Sequence, residues 1–170
     1  LSADVIEKAI RLIRRCSSRG VINMNTNASR PNAVARLFDS GLDSIRVSLN
    51  SAREEYYNRY YKPEDYSFRD VLKSVKEAKK RNGFVSLNYL TMPGFTDSLD
   101  EIDAFKKLIE KVHIDMIQWR NLNYDPLRYF EELNVIVKAE DMLGVKETIE
   151  SLKRDLPVVR MGYFNSYEPR

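Results

Sequence analysis

At 170 residues the chain has room for one domain with a real apolar core. Its 43% hydrophobic and 31% charged residues match a globular composition and exclude a low-complexity or fibrous chain. A net charge of +3 is too small to argue for a nucleic-acid partner, and the basic runs 11–15 and 79–81 fall at expected helix ends, opposite the negative pole of the dipole.

Ser2 is a fitting N-cap for a first helix that ends near Ser17, with Gly20 just beyond. Val5, Ile6, Ala9, Leu12, Ile13 and Cys16 form its apolar stripe, so Cys16 is expected to be a small buried hydrophobe. Residues 21–27 make a strand in which Ile22, Met24 and Thr26 alternate with Asn23, Asn25 and Asn27. Asparagine is depleted in strands, so three on one face need a reason; bulk water, or a turn that already includes Asn27, is the plain one. Pro31 suits the first turn of a second helix, with Val34, Leu37 and Phe38 inward and Gly41 closing it.

The stretch 44–51 organises the rest. Ile45, Val47 and Leu49 alternate with Arg46, Ser48 and Asn50, and a helical segment flanks it on each side, which argues for a parallel sheet. Parallel strands normally hide both faces, so a polar inner face implies a solvated or ligand-filled cavity. Residues 54–66 carry Tyr56, Tyr57, Tyr60, Tyr61 and Tyr66, either as a lid over a pocket or as rings covering the sheet rim.

Phe68, Val71, Leu72, Val75 and Ala78 mark an amphipathic helix ending at Gly83. In the strand 84–90, Val85, Leu87 and Tyr89 oppose Ser86 and Asn88. A Pro93-Gly94 turn leads to Ser98 and Glu101, spaced as a capping box, and to a helix with Ile102, Phe105, Ile109 and Val112 inward. His113 at its end is expected to be structural or solvated. In the strand 114–121, Met116, Gln118 and Arg120 alternate with Ile117, Trp119 and Asn121. Asp125-Pro126 starts a helix over 127–133, and Met142, Val145, Ile149, Leu152 and Leu156 mark a last one that stops at Pro157. Residues 158–164 are a candidate terminal strand. The order is that of βα units: an α/β fold with 21–27, 44–50, 84–90 and 114–121 as parallel neighbours and helices on one face.

Four successive strands thus place polar side chains on one face and carry them to the strand C-terminal end, where α/β sheets and barrels bind ligands. Hydroxyls and amides offer both donors and acceptors, which suits a polyhydroxylated, zwitterionic or nucleoside-like ligand. No phosphate-cradling glycine loop is present, and one cysteine excludes an internal disulfide and any site built from several thiolates. A lone histidine excludes most Ser/His and Cys/His catalysis. No apolar run nears the ~20 residues of a membrane span and no signal-peptide pattern is seen, so the cytoplasm is the expected compartment.

The segments 20–28, 41–51 and 86–90 resemble consecutive strands of the radical S-adenosylmethionine (radical SAM) enzyme core. The first is similar to the strand ending in Thr-Asn-Gly, with Ala28 in place of Gly; the second is similar to the strand ending Ser-hydrophobic-Asp/Asn-Gly/Ser. The resemblance covers about residues 1–126 and implies the C-terminal portion of a partial (β/α)6 TIM-like barrel, with 127–170 a helical extension in the same domain. It also implies S-adenosylmethionine and a [4Fe-4S] cluster that generates a 5′-deoxyadenosyl radical, fed by an external electron donor. The family's CxxxCxxC and Gly-Gly-Glu-like motifs are not in this sequence, which begins with Leu1, so a fragment lacking the cluster-bearing part, without cofactor and inactive alone, is expected.

By the same resemblance, Ser48 and Asn50 approach the ribose hydroxyls or the methionine carboxylate, Asn88 serves the same ligand, and the backbone around Asn121 to Asn123 lies near adenine. Asn25, Asn27, Arg46, Gln118 and Arg120 then line the substrate side, although the arginines equally suit an internal ion-pair or hydrogen-bond network. A bare leading sheet edge invites a homodimer. The competing readings are a complete small α/β binding module, or a piece of another (β/α) barrel with a polar ligand.

Overall fold

The computed structural model describes residues 2–162. Five strands, β1 (Asn23–Thr26), β2 (Ser44–Leu49), β3 (Phe84–Thr91), β4 (Met116–Asn121) and β5 (Arg160–Gly162), form one parallel sheet in chain order. The terminal strand starts at Arg160, two residues later than expected, and residues 163 and 164 lie outside the described residues. Helices α1 (Ala3–Cys16), α2 (Pro31–Asp39), α3 (Glu54–Tyr61), α4 (Phe68–Lys80), α5 (Leu99–Val112), α6 (Pro126–Leu133) and α7 (Val145–Asp155) make the connections.

The alternation of the strands decides which face is dry. Ile45, Val47 and Leu49 of β2, Val85 and Leu87 of β3 and Ile117 of β4 are buried against apolar residues of α2, α4, α5 and α7. Each such side chain contributes about 1.5–3 kcal/mol on leaving water. Local caps fix the helix starts: Ser2 accepts from the Val5 amide, Asp125 accepts from the Arg128 amide at 2.8 Å, and Ser67 with Asp70 forms a reciprocal capping box on α4. Gly83, after α4, lets α2 and α4 approach, since a Cβ there would stand 2.3 Å from a ring carbon of Phe38.

Three expectations are corrected. Most of the α1 stripe faces outward: Val5, Leu12 and Ile13 are about half exposed and Cys16 is exposed, while only Ile6 of that stripe packs, half-buried, against the core beside Ile10. Arg14 sets that orientation by bonding the Gly41 carbonyl at 2.9 Å and pairing with Asp43. Ser98 does accept from the Glu101 amide at 3.3 Å, but the Glu101 side chain turns into the protein instead of closing the box. Met142 stands ahead of α7, in an isolated bridge with Ser98.

Candidate functional site

The second face of the sheet is polar, and the pairing brings its residues into rows. Asn25 lies opposite Arg46, and Arg46 opposite Ser86. Ser48, Asn88 and Gln118 form the next row, and Leu90 pairs with Arg120. Each polar row therefore crosses three strands, the first from β1 to β3 and the second from β2 to β4. Asn25 is exposed, and Asn27 lies past β1 in the turn, its Oδ1 accepting from the Ser29 amide at 3.2 Å. Ala28 follows with φ 54, the left-handed backbone that glycine would adopt at no steric cost, and its carbonyl accepts from Ser74 at 2.6 Å.

Arg46 and Asn88 are half-buried. The Arg46 Nε and the Asn88 Oδ1 are each shut from solvent without a hydrogen-bond partner. Burial lowers the pKa of Arg46, and the charge of Arg120 lowers it further. Gln118 is buried, its amide 3.9 Å from the Met116 sulfur. Asn121 belongs to the alternate set with Ile117 and Trp119 and is exposed, as is Asn123; their side chains do not join the rows.

Asn50 directly follows β2 and is fully buried. Its amide nitrogen donates to the Tyr56 carbonyl and to the Tyr129 hydroxyl, both at 3.3 Å, and its Oδ1 has no donor. Tyr129 comes from α6 and sits with Phe95, Met92 and Leu133 in a second apolar cluster beyond the strand ends. Tyr56 and Tyr60 of α3 meet Phe95 and Tyr129 edge to face, at 5.1 and 5.8 Å between centroids. The tyrosine-rich segment is thus a packed cover, with Tyr57 fully buried between Tyr61 and Phe68.

Glu101 was not singled out as a site residue, yet it fixes this end of the sheet. Fully buried, its carboxylate accepts from Ser51 Oγ at 2.7 Å, the Ala52 amide at 2.5 Å, Arg53 Nε at 2.8 Å and Tyr89 Oη at 2.8 Å. The residues just after Asn50 are therefore tied to α5 and β3. Only the spacing from Ser98 drew attention to Glu101; nothing local showed where its side chain goes.

The family profile described as the Radical SAM superfamily matches residues 1–109. The chain belongs to the radical SAM superfamily. The family carries S-adenosylmethionine-dependent radical chemistry in general, and the match sets aside the other-barrel reading. A probable GTP 3′,8-cyclase of Thermococcus kodakarensis is 33% identical over 95 residues, which are 55% of this radical SAM chain and 30% of that protein. The chain thus spans about a third of the curated relative it matches. Its fold is similar to a domain of pyruvate-formate lyase-activating enzyme from Bacteroides vulgatus (TM-score 0.62, 13% identity, covering 96% of this chain and 93% of that one). It is also similar to HydG, a maturase of the [FeFe]-hydrogenase (TM-score 0.61, 18% identity, covering 94% and 37%). These likenesses support the partial TIM-like barrel.

The two groups that the family implies fit this radical SAM chain differently. The unmet acceptors on Asn50 and Asn88 suit the hydroxyl donors of a ribose. A cluster has no such place: no three His, Cys, Asp or Glu among the described residues gather as metal ligands, and Cys16 stands exposed on α1. No helix among the described residues is long and apolar enough to cross a membrane.

Proposed function

We propose that this chain supplies cofactor-facing and substrate-facing strands of a radical SAM enzyme whose [4Fe-4S] cluster is held by thiolates outside these 170 residues. The supporting observation is a pair of buried, donorless Oδ1 atoms, one on Asn88 of β3 and one on Asn50, just past the end of β2 and two residues beyond Ser48, which lies opposite Asn88. When bound, S-adenosylmethionine supplies, on one-electron reduction, a 5′-deoxyadenosyl radical; the protein binds, orients and excludes water.

Ser48, Asn50 and Asn88 hold the ribose or the methionine carboxylate, and the backbone at 121–123 borders adenine. Asn25, Asn27, Arg46, Gln118 and Arg120 face the substrate. The aromatic cover of α3 and α6 keeps water from the Asn50 end. An external electron donor and a cytoplasmic setting go with this reading, and the chain alone is inactive. The β1 edge, unpaired among the described residues, and the outward apolar row of α1 support a homodimer. Sedimentation that stays monomeric at all concentrations refutes the dimer.

The test uses a polypeptide extended upstream through a CxxxCxxC segment and reconstituted without oxygen. It should cleave S-adenosylmethionine to 5′-deoxyadenosine. Ser48→Ala and Asn50→Ala should each weaken cofactor binding by about 1–3 kcal/mol, the usual loss when buried polar partners go unmet. The cluster's absorbance should not change, and exposed Asn32→Ala should behave as wild type. Wild-type affinity in both strand variants, or equal loss in Asn32→Ala, overturns the assignment.

A further inference from the structure

The two donorless oxygens belong to different strands, so their use to one ligand depends on how those strand ends are held together. A single buried carboxylate does this. Glu101 takes three of its four donors from residues 51, 52 and 53, which directly follow Asn50. The fourth is the hydroxyl of Tyr89, which directly follows Asn88. The Tyr89 ring is itself fixed, stacked on Phe105 at 4.1 Å and edge-on to Trp119 at 5.5 Å. Burying a charge is a poor way to gain stability, because a well-packed apolar residue in its place often serves as well. Nor does the helix dipole need it: Asp100, exposed in the same first turn of α5, complements the dipole without that cost. What a carboxylate with four donors does provide is a defined position for each of them.

We infer that Glu101 is a positioning residue for the cofactor, setting where the Asn50 oxygen stands relative to the Asn88 oxygen. The inference rests on the cofactor reading of those two oxygens. Glu101 touches no ligand in it and acts through its neighbours. It grips the backbone itself at Ala52, whereas the bonds of the Asn50 side chain to the Tyr56 carbonyl and the Tyr129 hydroxyl are long, 3.3 Å each. Bonds of that length orient an amide but do not hold a turn. Without the carboxylate the 51–53 turn is released, and Asn50 loses the backbone that aims it.

The test has two readouts. In the isotopically labelled chain alone, the Asn50 side-chain NH2 signals, assigned by their loss in Asn50→Ala, should shift or broaden in Glu101→Gln. They should stay in place in Ile109→Ala, which opens a core cavity on the same helix and leaves the turn untouched. The second readout is calorimetric titration of the upstream-extended polypeptide with S-adenosylmethionine, without reductant, at a temperature where circular dichroism shows each variant folded. Glu101→Gln should weaken binding about tenfold, a usual coupling between residues that act together, and Ile109→Ala should not weaken it. Ser51→Ala removes one of the four bonds and should weaken binding less; it carries the same comparison where Glu101→Gln does not fold. The losses should not add: with Asn50→Ala already in place, Glu101→Gln should cost far less than it does alone. Unmoved Asn50 signals, an equal loss in Ile109→Ala, or full additivity overturns the inference. Wild-type affinity in Asn50→Ala sinks the cofactor reading, whereas affinity that depends on Asn50 and ignores Glu101→Gln sinks this inference alone.

Discussion

Replacing Glu101 by Gln keeps the shape of the side chain and removes its charge. Oε1 accepts from the Ala52 amide and the Tyr89 hydroxyl, while Oε2 accepts from the Ser51 hydroxyl and Arg53 Nε. The two hydroxyls can turn and accept; the Ala52 N–H and the Arg53 Nε–H cannot. Whichever way the new amide is turned, its NH2 group meets one obligate donor. A buried donor is then left unmet, at about 1–3 kcal/mol, and the ion pair is lost as well. Breaking a buried pair costs ~3–5 kcal/mol, but the Arg53 side chain is 27% exposed and regains some hydration. The expected loss is therefore about 3 kcal/mol, the low end of that range.

At about 2–4 °C per kcal/mol for a chain of this size, the melting temperature should fall by roughly 6–12 °C. Thermal and urea unfolding followed by circular dichroism measure it. Glu101→Ala adds a cavity and should fall further. Arg53→Ala should cost about as much as Glu101→Gln or more, because it leaves the fully buried carboxylate without its cation. An unchanged melting temperature in Glu101→Gln would refute the argument, since it would mean that water or relaxation replaces the carboxylate at no cost.

Cys16 is exposed, so one thiol per chain should react with a disulfide reagent without denaturant; a thiol that reacts only on unfolding would put α1 the other way round. Burial raises the pKa of Tyr57, Tyr61 and Tyr129 above the ordinary value of 10.0, and burial followed by the charge of Glu101 raises that of Tyr89 well above it. The unfolded chain gives up these protons near pH 10 and the folded chain holds them, so their share of stability is intact below pH 10 and is lost as the pH climbs beyond it. Phenolate absorbance against pH should show a group of tyrosines that ionise only on unfolding, and one smooth titration of every tyrosine near pH 10 would contradict this. Supplied with iron and sulfide under anaerobic conditions, the chain should stay colourless, because one cysteine cannot hold a cluster; a stoichiometric visible absorption band would disprove it.

What could be foreseen in the sequence was local. Strand parity was legible in the alternation around Ile45, Val47 and Leu49, because a two-residue period needs no knowledge of the neighbour. Ser2 and Asp125 cap within three residues of themselves, and both helix starts followed. α1 failed for a related reason. A helical stripe tells an apolar row from a polar one but not which row meets the protein, and Arg14 decided that by reaching Gly41 and Asp43, 27 and 29 residues away. Glu101 likewise matched a short-range pattern, while its real partner Ser51 stands 50 residues earlier.

The distant contacts explain why Asn50, of all the polar residues on this face, is held so firmly. Its amide donates to a tyrosine 79 residues along the chain, and the segment that follows it is clamped by Glu101. Both N–H bonds of the side chain have acceptors inside the protein, so only the carbonyl oxygen is left over. An aspartate there would lose both donors and set a charge against the Tyr56 carbonyl; a serine would be too short to reach Tyr129 and still present an oxygen. The packing of α3 and α6 holds that oxygen in place; under the cofactor role proposed above, a ligand donor meeting it would cost less freedom on binding than one that must first immobilise a mobile side chain.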